Sequence, residues 1–258
     1  MPCIYISKMK KIIIIIFFSL LLLSGCKKDI EKIDNEKEQE LSYQILKDYD
    51  FDVNKYEIEE IPFVFVEKLS RLDNYTKTTK GNTIAKKIIT YNQEIDNTYI
   101  QNSTEKHLIT ISKSSLKNLY HEAYFKEDII SLKTKENDEF SDISYDEYQL
   151  TYGYLPYGYH LEGFVLSKES IKEITKVDTN QYHLVLDNEI GTNDVKIQMK
   201  EFGALNDYPS FSLIEIDIII EEDFTPIKII LKSEYEVDIK ILGKTKCTQD
   251  YTVEFKYE

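Results

Sequence analysis

The apolar positions of this chain follow three different rules in three successive stretches. Residues 12–23 are apolar except for Ser19, a run of 12 residues, whereas a membrane-spanning helix needs about 20. Residues 27–40 reverse that pattern: ten of the fourteen are charged and none is aromatic. Such a stretch is a solvated tether that spans roughly 20 Å as a flexible coil. From Leu41 onward the apolar side chains recur at the periods of secondary structure, and the folded part is expected to begin there. Ile61, Phe65, Leu69 and Leu72 lie at helical spacing, with Pro62 in the first turn, where its missing N–H is harmless. Phe63-Val64-Phe65-Val66 within the same stretch also reads as a strand.

From Tyr75 to Ile111 the pattern changes to short strands rich in Thr, Ile and Tyr. Breaks are expected at Gly81-Asn82, Asp96-Asn97 and Asn102-Ser103, which predicts an antiparallel meander. Leu119–Phe125 and Ile129–Lys133 continue it, joined near Glu127-Asp128. Ser144-Tyr145-Asp146-Glu147 fits a capping box for a short helix that stops by Gly153. Gly191-Thr192-Asn193 offers another helix start, with Val195, Met199 and Phe202 on one face before Gly203. Ile214, Ile216, Ile218 and Ile220 then alternate with Glu215, Asp217 and Glu221 apart from Ile219, giving a strand with one wet face. Further strands run from Ile227 to about Ile241 and from Thr245 to Tyr257. Three long antiparallel strands with one apolar side need something to cover that side, so the expected class is α+β.

The N-terminal pattern carries the most specific message. Lys8, Lys10 and Lys11 precede the apolar run, and Leu23-Ser24-Gly25-Cys26 follows it. A positive n-region, a short h-region and small residues before a cut make a secretory signal. Leu23 to Cys26 resembles the bacterial lipobox, whose cysteine sulfur takes a diacylglyceryl group before cleavage leaves that cysteine as the new N-terminus. The residue types suit the chemistry, since a thiol is the atom to be alkylated and Ser24 and Gly25 are small enough for a peptidase cleft. The alternative is an ordinary signal peptide with a chance cysteine. The expected organisation is a signal peptide at 1–25 with cleavage between Gly25 and Cys26, a lipidated cysteine and tether at 26–40, and a single domain at 41–258. Met9 also serves as a start, because residues 1–7 add nothing that the signal needs.

Charge narrows the partners. Of the 258 residues, 32 are Lys or Arg and 46 are Asp or Glu, and loss of residues 1–25 removes three lysines and no acid, carrying the formal charge from −14 to −17. Arg71 is the one arginine. Nucleic acid is therefore not an expected partner, because phosphates call for basic patches and forked arginine contacts. Anionic membrane surfaces also repel such a domain, so contact with the membrane falls to the lipid on Cys26. Few Arg and Ala beside abundant Ile, Lys, Asn and Tyr point to an AT-rich genome, which takes functional weight from the 20 tyrosines.

Candidate chemistry is sparse. Cys3 leaves with the signal and Cys26 is consumed by lipid, so Cys247 is expected as a small buried hydrophobe outside any disulfide. His107, His121, His160 and His183 are all more than four residues apart, and neither HExxH nor paired-cysteine motifs occur. No sequence-local metal site and no cofactor are expected. Asp187 to Asp194 offers oxygen ligands, but glycine is not at the sixth position of a calcium loop, and the stretch reads as a strand-to-helix turn. GxSxG, SxxK, CxxC, the phosphate loop and the dinucleotide fingerprint are missing, and no enzyme activity is expected. Residues 152–160 place Tyr152, Tyr154, Tyr157 and Tyr159 among Gly, Pro and Leu, ending in His160. These tyrosines form either an aromatic lid over a ligand or a loop that packs its rings on the domain.

The order of elements resembles the LolA/LppX-like lipid-carrier half-barrels. It has a lipobox, a helix before the meander, intervening helices and a closing meander that contains Asp223-Phe224-Thr225-Pro226-Ile227. The resemblance implies a strongly curved antiparallel sheet wrapped around a few helices, with an apolar space that holds an acyl chain. It implies a membrane-anchored extracytoplasmic lipoprotein that binds a hydrophobic ligand or lipid. The alternative is a module with a filled core that engages another envelope protein.

Overall fold

The computed structural model describes residues 50–86, 90–114, 118–152, 155–198, 209–239 and 243–257. The export signal, the lipidation cysteine, the tether and residues 41–49 lie outside the described residues, as do Tyr154, Met199 and Phe202.

After a 3-10 turn at Val53–Lys55, helix α1 spans Ile61–Arg71. Strands β1 (Tyr75–Lys86), β2 (Thr90–Gln101), β3 (Lys106–Ser114), β4 (Leu119–Phe125), β5 (Ile130–Thr134) and β6 (Ser141–Ile143) follow. Helix α2 (Tyr145–Tyr152) precedes β7 (Ile171–Asp178) and β8 (Gln181–Leu186), then α3 (Asn188–Gln198), β9 (Ser210–Ile220), β10 (Pro226–Ile239) and β11 (Gly243–Tyr257). All eleven strands join one antiparallel sheet in the order β6-β5-β4-β3-β2-β1-β11-β10-β9-β8-β7. The first and last strands meet at its centre, with Tyr75 opposite Tyr257 and Lys86 opposite Lys246. Two meanders thus grow outward from the β1–β11 pair and end in two open edges.

Those edges are defended against pairing with other chains. Strand β6 is only three residues long. Strand β7 is largely exposed, carries Lys172, Glu173, Lys176 and Asp178, and shifts register against β8 at two places.

Helix α1 forms where the apolar spacing predicts it. Ile61, Val64 and Phe65 are buried, Pro62 lies in the first turn, and Lys68 and Arg71 occupy the last turn, where positive charge offsets the exposed carbonyls. Lys68 Nζ lies 3.2 Å from Asp223 Oδ2 in the β9–β10 turn, and 4.8 Å from the centre of the Phe51 ring. Phe224 in the same turn is fully buried beneath Phe51 and Tyr56. The Asp223 to Ile227 motif is therefore the hairpin turn that launches the 14-residue strand β10 beside the N-terminal helix.

Two expected breaks are absent. Gly81-Asn82 lies inside β1 and Asp96-Asn97 inside β2, whereas Asn102-Ser103 does end β2. Gly81 is there for space, because the Tyr251 ring of β11 occupies the volume that a Cβ would need. The expected helix start at Gly191 is also corrected. Helix α3 begins at Asn188, where Asp187 Oδ1 accepts from the N–H groups of Glu189 (2.9 Å) and Ile190 (3.0 Å). An aspartate supplies the cap more effectively than a glycine can. Strands β7 and β8 had no counterpart in the pattern: β7 is an exposed edge without alternation, and β8 has only six residues.

Candidate functional site

Direct register assigns side chains to faces, because residues opposite one another in an antiparallel pair point the same way. One face, here the inner face, carries the buried core. Across it runs a row made by Ile218, Ile229, Val253, Thr79, Asn97, Thr110, His121 and Thr134, one residue from each of β9, β10, β11, β1, β2, β3, β4 and β5. The row is apolar on one side of the sheet centre and polar on the other. Ile218, Ile229 and Val253 are fully buried, while Thr79, Thr110 and His121 are buried polar groups.

The next inner rows do not keep that division, since Ile95 lies on the polar side and Ser233 and Gln249 on the apolar side. One passes from Ile216 and Leu231 through Tyr251 and Gly81 to Ile95 and Ser112, and the other from Ile214 through Ser233, Gln249, Thr83 and Gln93 to Ser114. Their polar groups are extensively bonded. Ser233 Oγ donates to Gln249 Oε1 at 3.0 Å, Thr83 Oγ1 lies 3.0 Å from Tyr251 Oη, and Gln93 Nε2 donates to Ser112 Oγ at 2.6 Å. Asn97 differs, since its Oδ1 is buried and has no hydrogen-bond partner.

The connection from β6 to β7 joins opposite edges of the sheet and crosses this inner face. Tyr152 stacks on His121 of β4 at 4.5 Å. Tyr157 contacts Phe125 of β4 (5.6 Å) and Tyr99 of β2 (5.9 Å), with Lys106 Nζ 4.3 Å from its ring centre. Glu162 reaches Lys77 of β1 at 3.2 Å, and Phe164 reaches Phe211 of β9 at 5.8 Å. His160 holds the crossing segment in shape: its Nε2 lies 2.9 Å from the Leu155 carbonyl and its Nδ1 accepts from Gly163 N–H at 3.2 Å. Of the candidate tyrosines, Tyr152 and Tyr157 are thus packed between strap and sheet, while Tyr159 is 56% exposed. Burial raises the phenols of Tyr75, Tyr99, Tyr148 and Tyr157 above their ordinary range, which keeps this aromatic layer uncharged.

The inner face carries little free charge. Burial pushes the His121 imidazole down to about 4, and its Nε2 lies 3.5 Å from Tyr148 Oη. Burial likewise lowers His160. Lys77 is neutralised by Glu162, and Cys247 on this face is buried with its thiol raised to about 11 by burial. A thiol held neutral there packs as a small hydrophobe.

The outer face holds the two histidine–carboxylate pairs. His107 Nε2 lies 3.0 Å from Glu122 Oε1, and His183 Nδ1 lies 2.8 Å from Asp217 Oδ1. Glu122 also accepts from the Tyr120 and Tyr124 hydroxyls, and the Tyr120 bond is the main influence holding its carboxyl below the ordinary value. His107 stacks flat on Tyr124 at 4.1 Å, and Tyr124 contacts Phe140, which is 47% exposed. Among the described residues no group of three or more metal-ligating side chains gathers in one place. Nor is any described helix long and apolar enough to cross a membrane.

The grouping of Thr79, Asn97, Thr110 and His121 escaped the sequence reading because they lie on four strands and meet only through register. Their one local trace is small polar residues at alternating positions, such as Thr79-Gly81-Thr83 and Thr110-Ser112.

No family model matches this chain, and neither does any curated protein. Among solved structures, it is similar to a LolA-superfamily protein from Nitrosomonas europaea at 8% identity, covering 79% of this chain and 94% of that one with a TM-score of 0.32. It is also similar to a domain from Vibrio parahaemolyticus named for outer-membrane lipoprotein sorting, at 9% identity, covering 78% and 92% with a TM-score of 0.30. Neither likeness is close enough to define a fold or a function for this chain.

Proposed function

We propose that this chain is an extracytoplasmic lipoprotein, held to the membrane by lipid on Cys26, whose domain binds a hydrophobic or amphiphilic ligand against the inner face of a curved sheet. The observation that carries the reading is the N-terminal signal: three lysines, a short apolar run and Leu23-Ser24-Gly25-Cys26 in sequence. Curvature into a half-barrel is supported by the core. Eleven strands about 4.8 Å apart make a sheet roughly 48 Å wide if flat. Yet Ile130 and Leu132 of β5 share one buried cluster with Leu184 and Leu186 of β8, and one strap touches strands from β4 to β9.

A second reading has its own observation. Ile111, 42% exposed, and Phe140 flank Tyr120 and Tyr124 on the outer face of β3 and β4, an apolar surface for an envelope protein.

The anchor is tested by Cys26→Ala in cells given labelled fatty acid. The unchanged chain takes up label and sediments with membranes, and the variant does neither. Uptake of label by the variant refutes the anchor. Native mass spectrometry of the full chain, released from membranes in minimal detergent, tests the ligand. A reproducible added mass that lipid extraction removes supports the inner-face reading, and a bare chain after exposure to host lipid extract favours the outer-face one.

A further inference from the structure

We infer that the β6–β7 connection is an acid-released cover, in which α2 and residues 155–164 lie on the sheet only while His121 and His160 are both uncharged. The device goes beyond the ligand reading, since it needs only the cover and its two imidazoles.

His160 is committed to its neutral form by two hydrogen bonds. Gly163 N–H donates to its Nδ1 at 3.2 Å, so that nitrogen is an acceptor and carries no proton. Nε2 therefore holds the single ring proton and donates it to the Leu155 carbonyl at 2.9 Å. Together the two bonds tie residue 155 to residue 163. A second ring proton on Nδ1 would face the Gly163 N–H, and two donors cannot share that contact. Glu162 beside it sits at φ +47°, a backbone conformation that a residue with a side chain keeps only where its surroundings hold it. Losing the His160 bonds removes part of that hold. The charged groups acting on His160 are Lys77, which opposes a further positive charge, and Glu162, which is already paired with Lys77 at 3.2 Å.

His121 holds the other half of the cover. From α2, Tyr152 stacks on it at 4.5 Å and Tyr148 meets it edge-on at 6.3 Å. Its neighbours across the strands are Thr110 of β3 and Thr134 of β5, which carry no charge. Burial keeps both phenols neutral. Among the described residues no carboxylate pairs with His121, whereas His107 and His183 each have one within 3.0 Å. An imidazolium at His121 is thus buried without a counter-charge.

Burial lowers both imidazoles in the closed cover, His121 to about 4, and each returns toward 6.5 once the cover leaves. The hold is therefore complete above pH 6.5 and is lost as pH falls toward 4. Release bares Tyr99 and Phe125, the inner-face rings that Tyr157 and Tyr148 now touch.

Hydrogen exchange of the full chain, read by mass spectrometry from pH 7 to pH 5 and corrected for the intrinsic effect of pH on exchange, tests the device. Linkage gives about sevenfold more opening per histidine between pH 6 and pH 5, so peptides within 145–164 should lose about fiftyfold in protection. Peptides of β1, β10 and β11 should keep theirs. His121→Phe retains the stacking surface and takes up no proton, and its loss over the same step should shrink to about sevenfold. Equal losses in this variant and the parent overturn the role of His121. A parent loss of about sevenfold or less overturns the two-histidine device without any variant. Loss of protection in β10 and β11 at the same pH as in 145–164 is global unfolding and overturns a separately released cover.

Discussion

Changing Gly81 to alanine separates two explanations for a glycine in mid-strand. Among the described residues the glycines with positive φ are Gly158, Gly163 and Gly243, so Gly81 is not needed for backbone conformation. On propensity alone alanine in a strand is better than glycine by roughly 0.5–1 kcal/mol. Packing opposes that gain. A Cβ at Gly81 falls 1.9 Å from Cδ1 of Tyr251 and 2.4 Å from the carbonyl oxygen of Asp250. The ring is held in place by Thr83, 3.0 Å from its hydroxyl, and the oxygen belongs to the central β11 backbone. Overpacking costs about 1–3 kcal/mol, and two fixed neighbours put this case near 3. For a domain of about 200 residues that lowers Tm by about 6–12 °C. Urea and thermal unfolding of the full chain, followed by far-UV circular dichroism, measure it. In a Tyr251→Ala background, itself less stable, Gly81→Ala should cost less than it does in the parent yet still cost something, because the Asp250 oxygen remains. A Gly81→Ala protein as stable as the parent refutes the steric argument, and with it the reading that Gly81-Asn82 is not a turn because of the Tyr251 ring.

Acid should weaken the fold through buried histidine. His121 is neutral when folded, with a value near 4 against 6.5 when unfolded, so its contribution is complete above pH 6.5 and disappears as pH falls toward 4. The loss amounts to roughly 3 kcal/mol. His121→Phe should flatten stability against pH between 6.5 and 4, and urea midpoints that change with pH as in the parent refute this. Breaking the Lys77–Glu162 pair tests the strap. The two side chains are 13% and 17% exposed, so Glu162→Ala leaves a mostly buried ammonium at a cost of about 2 kcal/mol, less than for a fully dry pair. Lys77→Met with Glu162→Leu should regain most of that stability. Limited proteolysis at residues 155–164 should be faster in Glu162→Ala alone, and an unchanged rate means that the pair does not hold the strap.

Local periodicity made much of this architecture readable. The helical spacing of Ile61, Phe65 and Leu69 favoured a helix over the strand that Phe63 to Val66 also allowed, and α1 forms there, ending at Arg71 with Leu72 already extended. The alternation from Ile214 to Ile220 had to be a strand because period two separates a dry face from a wet one, and β9 does so. The errors arose where a residue serves a distant partner. Gly81 looks like a turn residue in its own segment, yet its role is to leave room for a ring 170 positions later in the chain. Residues 171–178 gave no signal because an exposed edge strand has no buried side to mark in sequence, and β8 was too short to stand out although it buries alternate residues.

The amino-acid sequence by itself determined the expected export and lipid-attachment chemistry, since an n-region, an apolar run and a lipobox act on a linear chain as it is made. It also determined which short stretches favour helix or strand, because propensity and periodicity are local. Only the tertiary structure decided that β1 pairs with β11, and hence that Thr79, Asn97, Thr110 and His121 form one polar row beside isoleucines from the other end of the chain. Strand register is settled by the burial of whole faces at once. No short window of sequence contains both halves of such a face.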